Sequence, residues 1–228
     1  MSKQYNIPQL PLSFDLESKE ILKQLSRSHR RLAELKGVAR TIPNERILIS
    51  TLTLQEAKDS SEVEDIVTTQ DDLYKAGLDI KQSVMNASTK EVLAYREAIE
   101  KGFSLVRTNR LLTNKTIKQI QAILENNDAG FRTSTGTKLK RNDGEVVYIP
   151  PQDAEQIINL MENLEDFLNN EEICDLDPLI KMAIIHHQFE SIHPFYDGNG
   201  RTGRIVNVLY LVITELLDLP ILYLSRYI

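Results

Sequence analysis

Tryptophan is absent from this 228-residue chain, and cysteine occurs once, at Cys174. One thiol cannot close an internal disulfide, so a cross-linked scaffold is excluded; a lone cysteine among apolar neighbours reads as a small buried hydrophobe. No apolar run approaches the roughly 20 residues that a membrane span requires. The opening Met1-Ser2-Lys3-Gln4-Tyr5-Asn6 also lacks the apolar stretch of a signal peptide. A cytoplasmic protein without membrane contact is therefore expected. Excess positive charge is missing as well: 27 lysines and arginines face 33 aspartates and glutamates, for a formal net charge of -6. Nucleic-acid binders present a basic face, and none stands out here, so nucleic acid is not an expected partner. Internal repeats and low-complexity linkers are absent too. What remains is ordinary globular composition, 41% hydrophobic and 26% charged, with chain enough for one large domain or one domain with a modest extension.

Helical periodicity fills most of that chain, and an all-α fold with one β-hairpin is expected. Between Phe14 and Gly37, Ile21, Leu22, Leu25, His29 and Leu32 recur at three- and four-residue steps, with Gly37 as the stop and His29 as a packed core histidine. A second helix follows Pro43-Asn44 towards Ala57, and others run from Thr89 to Phe103 and from Thr113 to Leu124. The one β signal lies between Arg132 and Pro151. Lys138, Leu139 and Lys140 enter a turn at Asn142-Asp143-Gly144, and Val146, Val147, Tyr148 and Ile149 leave it. Such a hairpin is either a surface excursion or an edge offered to an extended peptide. Beyond Pro150-Pro151, a helix with Ile157, Leu160, Met161, Leu164 and Leu168 on one side runs to about Asn170. Asp177-Pro178 is an N-cap followed by a first-turn proline, opening the most apolar helix, expected to be buried on most sides. A second apolar helix carries Ile205, Val208, Leu209, Val212, Ile213 and Leu216.

Between those two helices lies His193-Pro194-Phe195-Tyr196-Asp197-Gly198-Asn199-Gly200-Arg201-Thr202-Gly203-Arg204. Its glycines let backbone N–H groups approach a ligand, and it opens into a helix whose first amides are unpaired and whose dipole favours an anion. Arg201 and Arg204, three apart, both project from the first turn and suit a polyphosphate. Asp197 supplies a hard oxygen where Mg²⁺ could bridge phosphates. His193 has the only side chain in the segment whose ordinary pKa, near 6.5, suits proton abstraction at neutral pH. These are the parts of phosphate-ester chemistry. Gly198, Gly200 and Gly203 also satisfy the dinucleotide fingerprint G-x-G-x-x-G, but a helix rather than a strand precedes them and no parallel-sheet pattern follows. His186 and His187 point about 100° apart on a helix, and no carboxylate or thiol spacing completes a zinc set with His193. Phe195 reads as an apolar anchor for the loop.

The segment resembles the Fic family signature H-x-F-x-[D/E]-G-N-G-R-x-x-R at every specified position. The approach Phe189-Glu190-Ser191-Ile192 and the hairpin ending in Ile149-Pro150-Pro151, the family's flap, are similar too. The resemblance implies a Fic-type helical core over residues 89–228, with residues 1–88 as an N-terminal helical extension. It implies a protein adenylyltransferase moving AMP from ATP to a serine, threonine or tyrosine hydroxyl. His193 would be the catalytic base and Asp197 the Mg²⁺ ligand. Gly198, Asn199 and Gly200 would take the α-phosphate, and Arg201 and Arg204 the β- and γ-phosphates, with Thr202 and Gly203 completing the nucleotide loop. Val146, Val147 and Tyr148 of the flap would border the nucleotide and hold the target protein by strand pairing. Self-modification and a homodimer are further expectations.

Upstream, Ser60-Ser61-Glu62-Val63-Glu64-Asp65 resembles the family's inhibitory motif [S/T]-x-x-x-E-[G/N], on a helix at about 55–66. Alone, a serine and a glutamate four apart are commonplace. By resemblance, Ser60 and Glu64 would restrain the enzyme through an ion pair from Glu64 to Arg204, which also puts Glu64 at the nucleotide. Asp65 departs from the usual glycine or asparagine. Longer relatives continue past Leu222-Tyr223-Leu224-Ser225-Arg226-Tyr227-Ile228, which reads as entry into another helix and so as a shortened core. Two alternatives remain: removal of AMP with Glu64 positioning a water, and a regulatory protein that binds nucleotide without turnover.

Overall fold

The structure is a computed structural model describing residues 5–69, 72–73, 86–141 and 143–227, apart from the side chain of Arg46. Among these are seven α-helices and one two-stranded antiparallel sheet, as the periodicity predicts. Helix α1 covers Lys19–Ala39, α2 Glu45–Glu62, α3 Ala87–Asn109 and α4 Asn114–Glu125. Strands β1 (Leu139–Lys140) and β2 (Val146–Tyr148) follow, then α5 (Ala154–Asn169), α6 (Pro178–Ile192) and α7 (Asn199–Ile213).

Side-chain caps explain why the helices begin where they do. The hydroxyl of Thr113 accepts from the amide of Thr116 at 3.2 Å, and Asp153 accepts from Gln156 at 2.8 Å. Asp177 accepts from Leu179 at 2.9 Å, with Pro178 in the first turn, where its missing N–H costs nothing. Helix α7 is the axis of the molecule: residues 201–212 are all buried, and α7 packs on α3, α4 and α6. Its burial on every side explains why its sequence is apolar all round.

Several expectations are corrected. Helix α1 starts after Ser18, and Gly37 lies within it rather than ending it. His29 is not packed in the core: its Nε2 meets Asp177 Oδ2 at 2.7 Å, so it braces the acid that caps α6. Helix α2 runs past Ala57 to Glu62 and absorbs most of the separate inhibitory helix placed at 55–66. Helix α6 is less enclosed than its composition suggests, with Ala183 and His187 exposed. Leu216 lies beyond α7, and Cys174 is only half-buried.

In the hairpin Leu139 pairs with Tyr148 and Lys140 with Val146, with an irregularity in register between the two. Gly144 takes a φ of 86°, the positive angle the turn needs, while Asn142 lies outside the described residues. The hairpin does not stand free. Tyr148 donates its hydroxyl to the carbonyl of Ser191, in the last turn of α6, at 2.7 Å.

The segment after α7 turns back onto α2, with a 3-10 turn over Ser225–Tyr227. Tyr223 donates its hydroxyl to the carboxylate of Asp59, and Ser225 bonds Glu56 through its amide at 3.1 Å and its hydroxyl at 2.5 Å. This is a latch on α2. Tyr223→Phe deletes the hydrogen bond to charged Asp59 and the one that the hydroxyl accepts from the Gln55 amide at 3.1 Å, and is expected to cost about 1.5–3 kcal/mol. Hydrogen exchange should quicken in α2 relative to α3; equal protection of both helices in the variant would deny the latch.

Candidate active site

The site is assembled at the N-terminus of α7 by elements distant in sequence. Gly198 caps that helix with a φ of 75° and no side-chain cap, so the amides of the first turn face outward with no side-chain acceptor of their own. The side chain of Asn199 turns inward instead: its amide donates to the carbonyl of Phe195 at 2.9 Å, and its oxygen accepts from the Phe195 amide at 2.9 Å. Asn199 therefore braces the loop, leaving its backbone as the part available to a ligand. Phe195 is fully buried, 5.3 Å from the ring of Phe131 and 6.3 Å from that of Phe189, the anchor expected of it.

Two buried arginines rise from this turn. Arg204 donates to the Ser60 hydroxyl at 2.6 Å, to the Ser60 carbonyl at 2.9 Å and to Glu64 Oε1 at 2.7 Å. The Ser60 carbonyl is an orphan of the C-terminus of α2, because the Glu64 amide bonds Ser61 instead, at 3.0 Å. Glu64 lies just beyond α2, in a turn where Asp65 takes a φ of 62° and the Ile66 amide closes back on Ser61 at 3.0 Å. Aspartate here adopts the left-handed conformation usually given to glycine or asparagine.

Glu64 does more than the motif implies, since its second oxygen lies 3.0 Å from Arg201 Nε. One carboxylate thus spans both arginines. It also rests on the loop: a Cβ at Gly200 would lie 2.6 Å from Glu64 Oε1, an approach only glycine allows. The carboxylate therefore sits on the arginines that rise from the N-terminus of α7, an end of the helix that favours an anion.

Sequence reasoning missed two further carboxylates. Arg201 Nη2 meets Glu125 Oε1 at 2.8 Å, and Nη1 meets Glu91 Oε2 at 3.2 Å. Glu125 is the last residue of α4, where the helix dipole disfavours an acid, and that placement was the available signal. Burial raises the pKa of Glu125, and Arg201 opposes the shift. A Cβ at Gly198 would lie 2.3 Å from its Oε1, so Glu125 also crowds the loop. Glu190 stands behind Arg204 with its pKa pushed up to about 7, chiefly by burial. The amide of Thr202 is spent on the Gly198 carbonyl at 2.9 Å, and Gly203 faces Glu190 and His186 across the α6–α7 contact. No group of three or more histidines, cysteines or acids that could hold a metal occurs among the described residues.

His193 ends α6 in the left-handed conformation, φ 49° and ψ 60°, its amide donating to the Phe189 carbonyl at 2.9 Å. Histidine is among the few side chains that tolerate this region. Its Nδ1 is buried without a hydrogen-bond partner. Burial first, and then the charge of Arg132, lower its pKa to about 4, while Asp197 acts in the opposite direction. It is therefore neutral at pH 7. Asp197 is exposed beside it, one oxygen accepting from the Gly198 amide at 2.8 Å.

A helical body, a short flap and a glycine-rich anion loop opening a buried helix define a Fic-type domain, and the fold has solved counterparts. A Fic family protein from Desulfovibrio desulfuricans superposes with a TM-score of 0.72 at 22% identity, covering 96% of this chain and 64% of that one. A Fic domain containing signaling protein from Bacteroides thetaiotaomicron gives a TM-score of 0.67 at 21% identity, over 82% of this chain and 72% of the other. Sequence profiles of the Fic/DOC family N-terminal region and of the Fic/DOC family match residues 22–104 and 111–211, most of the chain between them. The chain belongs to the Fic/DOC family. Among curated relatives, Protein adenylyltransferase Fic of Drosophila erecta is 30% identical over 131 residues, 56% of this chain and 26% of its own length. Protein adenylyltransferase fic-1 of Caenorhabditis elegans is 38% identical over 56 residues, 25% of this chain and 11% of its own. This chain thus spans about a quarter or less of the length of these relatives. No described helix is long and apolar enough to cross a membrane.

Proposed function

We propose that this chain catalyses transfer of AMP from ATP to a serine, threonine or tyrosine hydroxyl of a target protein, and that Glu64 restrains it. The single observation that carries this reading is the carboxylate of Glu64 seated on Arg201, Arg204 and the first turn of α7. A site that holds one anion by two guanidiniums beside a helix N-terminus can hold phosphates by the same arginines and the neighbouring amides.

In the step proposed, the target oxygen attacks the α-phosphorus of ATP, a new O–P bond forms, and the bond to the β-phosphate oxygen breaks, releasing pyrophosphate. Neutral His193 takes the hydroxyl proton. The amides of Asn199 and Gly200 serve the α-phosphate oxygens, with Gly198, whose own amide is held by Asp197, shaping the turn, and the arginines draw off charge from the leaving group. The residues fit Mg²⁺: Asp197 offers an exposed carboxylate, a hard oxygen suited to an ion carried on phosphates. Mg²⁺ there would neutralise phosphate charge. The flap hairpin has no further strand beside it among the described residues, which suits an extended target segment added to its edge. The names of the curated relatives support adenylyl transfer.

The reading is tested with the Glu64→Gly protein, a lysate, and ATP labelled either at the α- or at the γ-phosphate. Protein-bound label is expected from the α-labelled nucleotide alone and should vanish with EDTA. Label from the γ-phosphate would instead mean phosphoryl transfer, and none from either would remove the transferase reading.

A further inference from the structure

Arg132 lies in the stretch between α4 and β1, is fully buried, and forms no ion pair among the described residues. Burying a guanidinium without a carboxylate is costly unless its donors are met. Here Nε and Nη2 are met by backbone carbonyls, while Nη1 is buried without a partner. Its Nε donates to the carbonyl of His193 at 2.7 Å, and its Nη2 to the carbonyls of Ile192, at 3.3 Å, and of Pro151. Its own amide donates to the carbonyl of Pro194 at 2.8 Å.

These acceptors explain the residue. Ile192 and His193 close α6, so their carbonyls belong to the orphan set at a helix C-terminus, where a cation is also favoured by the dipole. Pro151 ends the flap, and Pro150-Pro151 has no N–H by which to be held, so a carbonyl is its only backbone handle. One side chain thus ties the backbone of the proposed base to the exit of the proposed target-binding hairpin. The neighbours of Arg132 extend the same clamp. The Phe131 ring packs on Phe195, and the amides of Thr133 and Ser134 donate to the Tyr196 hydroxyl at 2.9 and 3.2 Å.

We infer that Arg132 is a positioning residue for the transfer reaction: it caps α6, keeps His193 in its left-handed conformation, and sets the distance between that histidine and the flap. The catalytic part of this inference rests on the transferase reading above. Its geometric part does not.

The test uses the full chain carrying Glu64→Gly, with Arg132→Met to remove charge and donors at similar length, and Arg132→Lys to keep the charge without the fork. The chain has four histidines, so ¹³C-labelled histidine gives a spectrum in which His193 is followed beside His29, His186 and His187. Arg132→Met is expected to move or split the His193 signal alone and to slow transfer by about 10²-fold, with little change in ATP affinity, because a displacement of about 1 Å costs that much. Arg132→Lys should fall between the parent and Arg132→Met in both measurements. The inference is overturned if the His193 signal stays in place in both variants, or if all four histidine signals collapse together in both, as loss of general core support would produce. A Glu64→Gly parent that transfers no label would sink the transferase reading, while the histidine spectra still decide the role of Arg132.

Discussion

Glu64→Gly is expected to increase transfer of AMP, including any self-labelling, by tenfold or more. On the function proposed, the carboxylate would compete with the phosphates of ATP for the same two guanidiniums, since Glu64 meets Arg204 at 2.7 Å and Arg201 at 3.0 Å. Both arginines are almost wholly buried, which strengthens a charge-assisted contact. Each ~1.4 kcal/mol of bias removed is worth about tenfold in the population able to bind phosphate productively. The fold should survive the change, because Arg201 keeps Glu91 and Glu125, and Arg204 keeps both oxygens of Ser60. Arg204→Ala also removes one of the two arginines that hold Glu64, yet it should not activate, because it deletes a phosphate contact and leaves Glu64 on Arg201. The opposite signs of the two substitutions make the pair informative. A rate unchanged or lowered by Glu64→Gly would mean that the carboxylate is not a competitor for phosphate. Release of AMP from a pre-modified target, assayed with both proteins, would then show whether Glu64 serves the reverse direction.

In the Glu64→Gly background, His193→Ala is expected to reduce transfer by about 10²–10⁴-fold while ATP still binds, since proton abstraction and phosphate binding use different groups. Alanine accepts a φ of 49° less readily than histidine, so His193→Asn is the companion variant, asparagine being at ease in that region. The pH profile has a defined sign. The base works in its neutral form, and its pKa is held down at about 4 by burial and by Arg132. Transfer should therefore be insensitive to this group through neutral pH and fall as pH drops through about 4. An acidic limb near the ordinary histidine value of about 6.5 would place the titrating histidine in water, contrary to the structure. Full activity in both variants would remove histidine from the mechanism.

Local signals carried much of this molecule. Asp177-Pro178, Thr113 and the Asp143-Gly144 turn each act on their nearest neighbours, so the chain order alone sufficed to place α6, α4 and the hairpin. The loop from His193 to Arg204 was equally legible, because base, carboxylate, nest and arginines are contiguous. Boundaries were less so. Gly37 costs a helix only about 1 kcal/mol, which packing outweighs, and α1 continues through it. His29 follows the apolar periodicity of its helix, yet what it meets depends on Asp177, 148 residues away.

By itself the sequence determined the helical class, the contiguous histidine, carboxylate, glycines and arginines of one loop, and a serine and glutamate four residues apart upstream. These are properties of residues close along the chain, expressed through backbone preference and side-chain type. Only the tertiary structure decided that Glu64 spans both arginines, that Glu91 and Glu125 share Arg201, and that Arg132 closes α6 onto the flap. Those contacts join α2, α3, α4 and the stretch before β1 to the ends of α6 and α7. They arise because buried guanidiniums must find oxygen wherever the packed helices bring it. Apart from the Glu64–Arg204 pair, which the resemblance implied, no spacing in the chain encodes which carboxylate or carbonyl will be near.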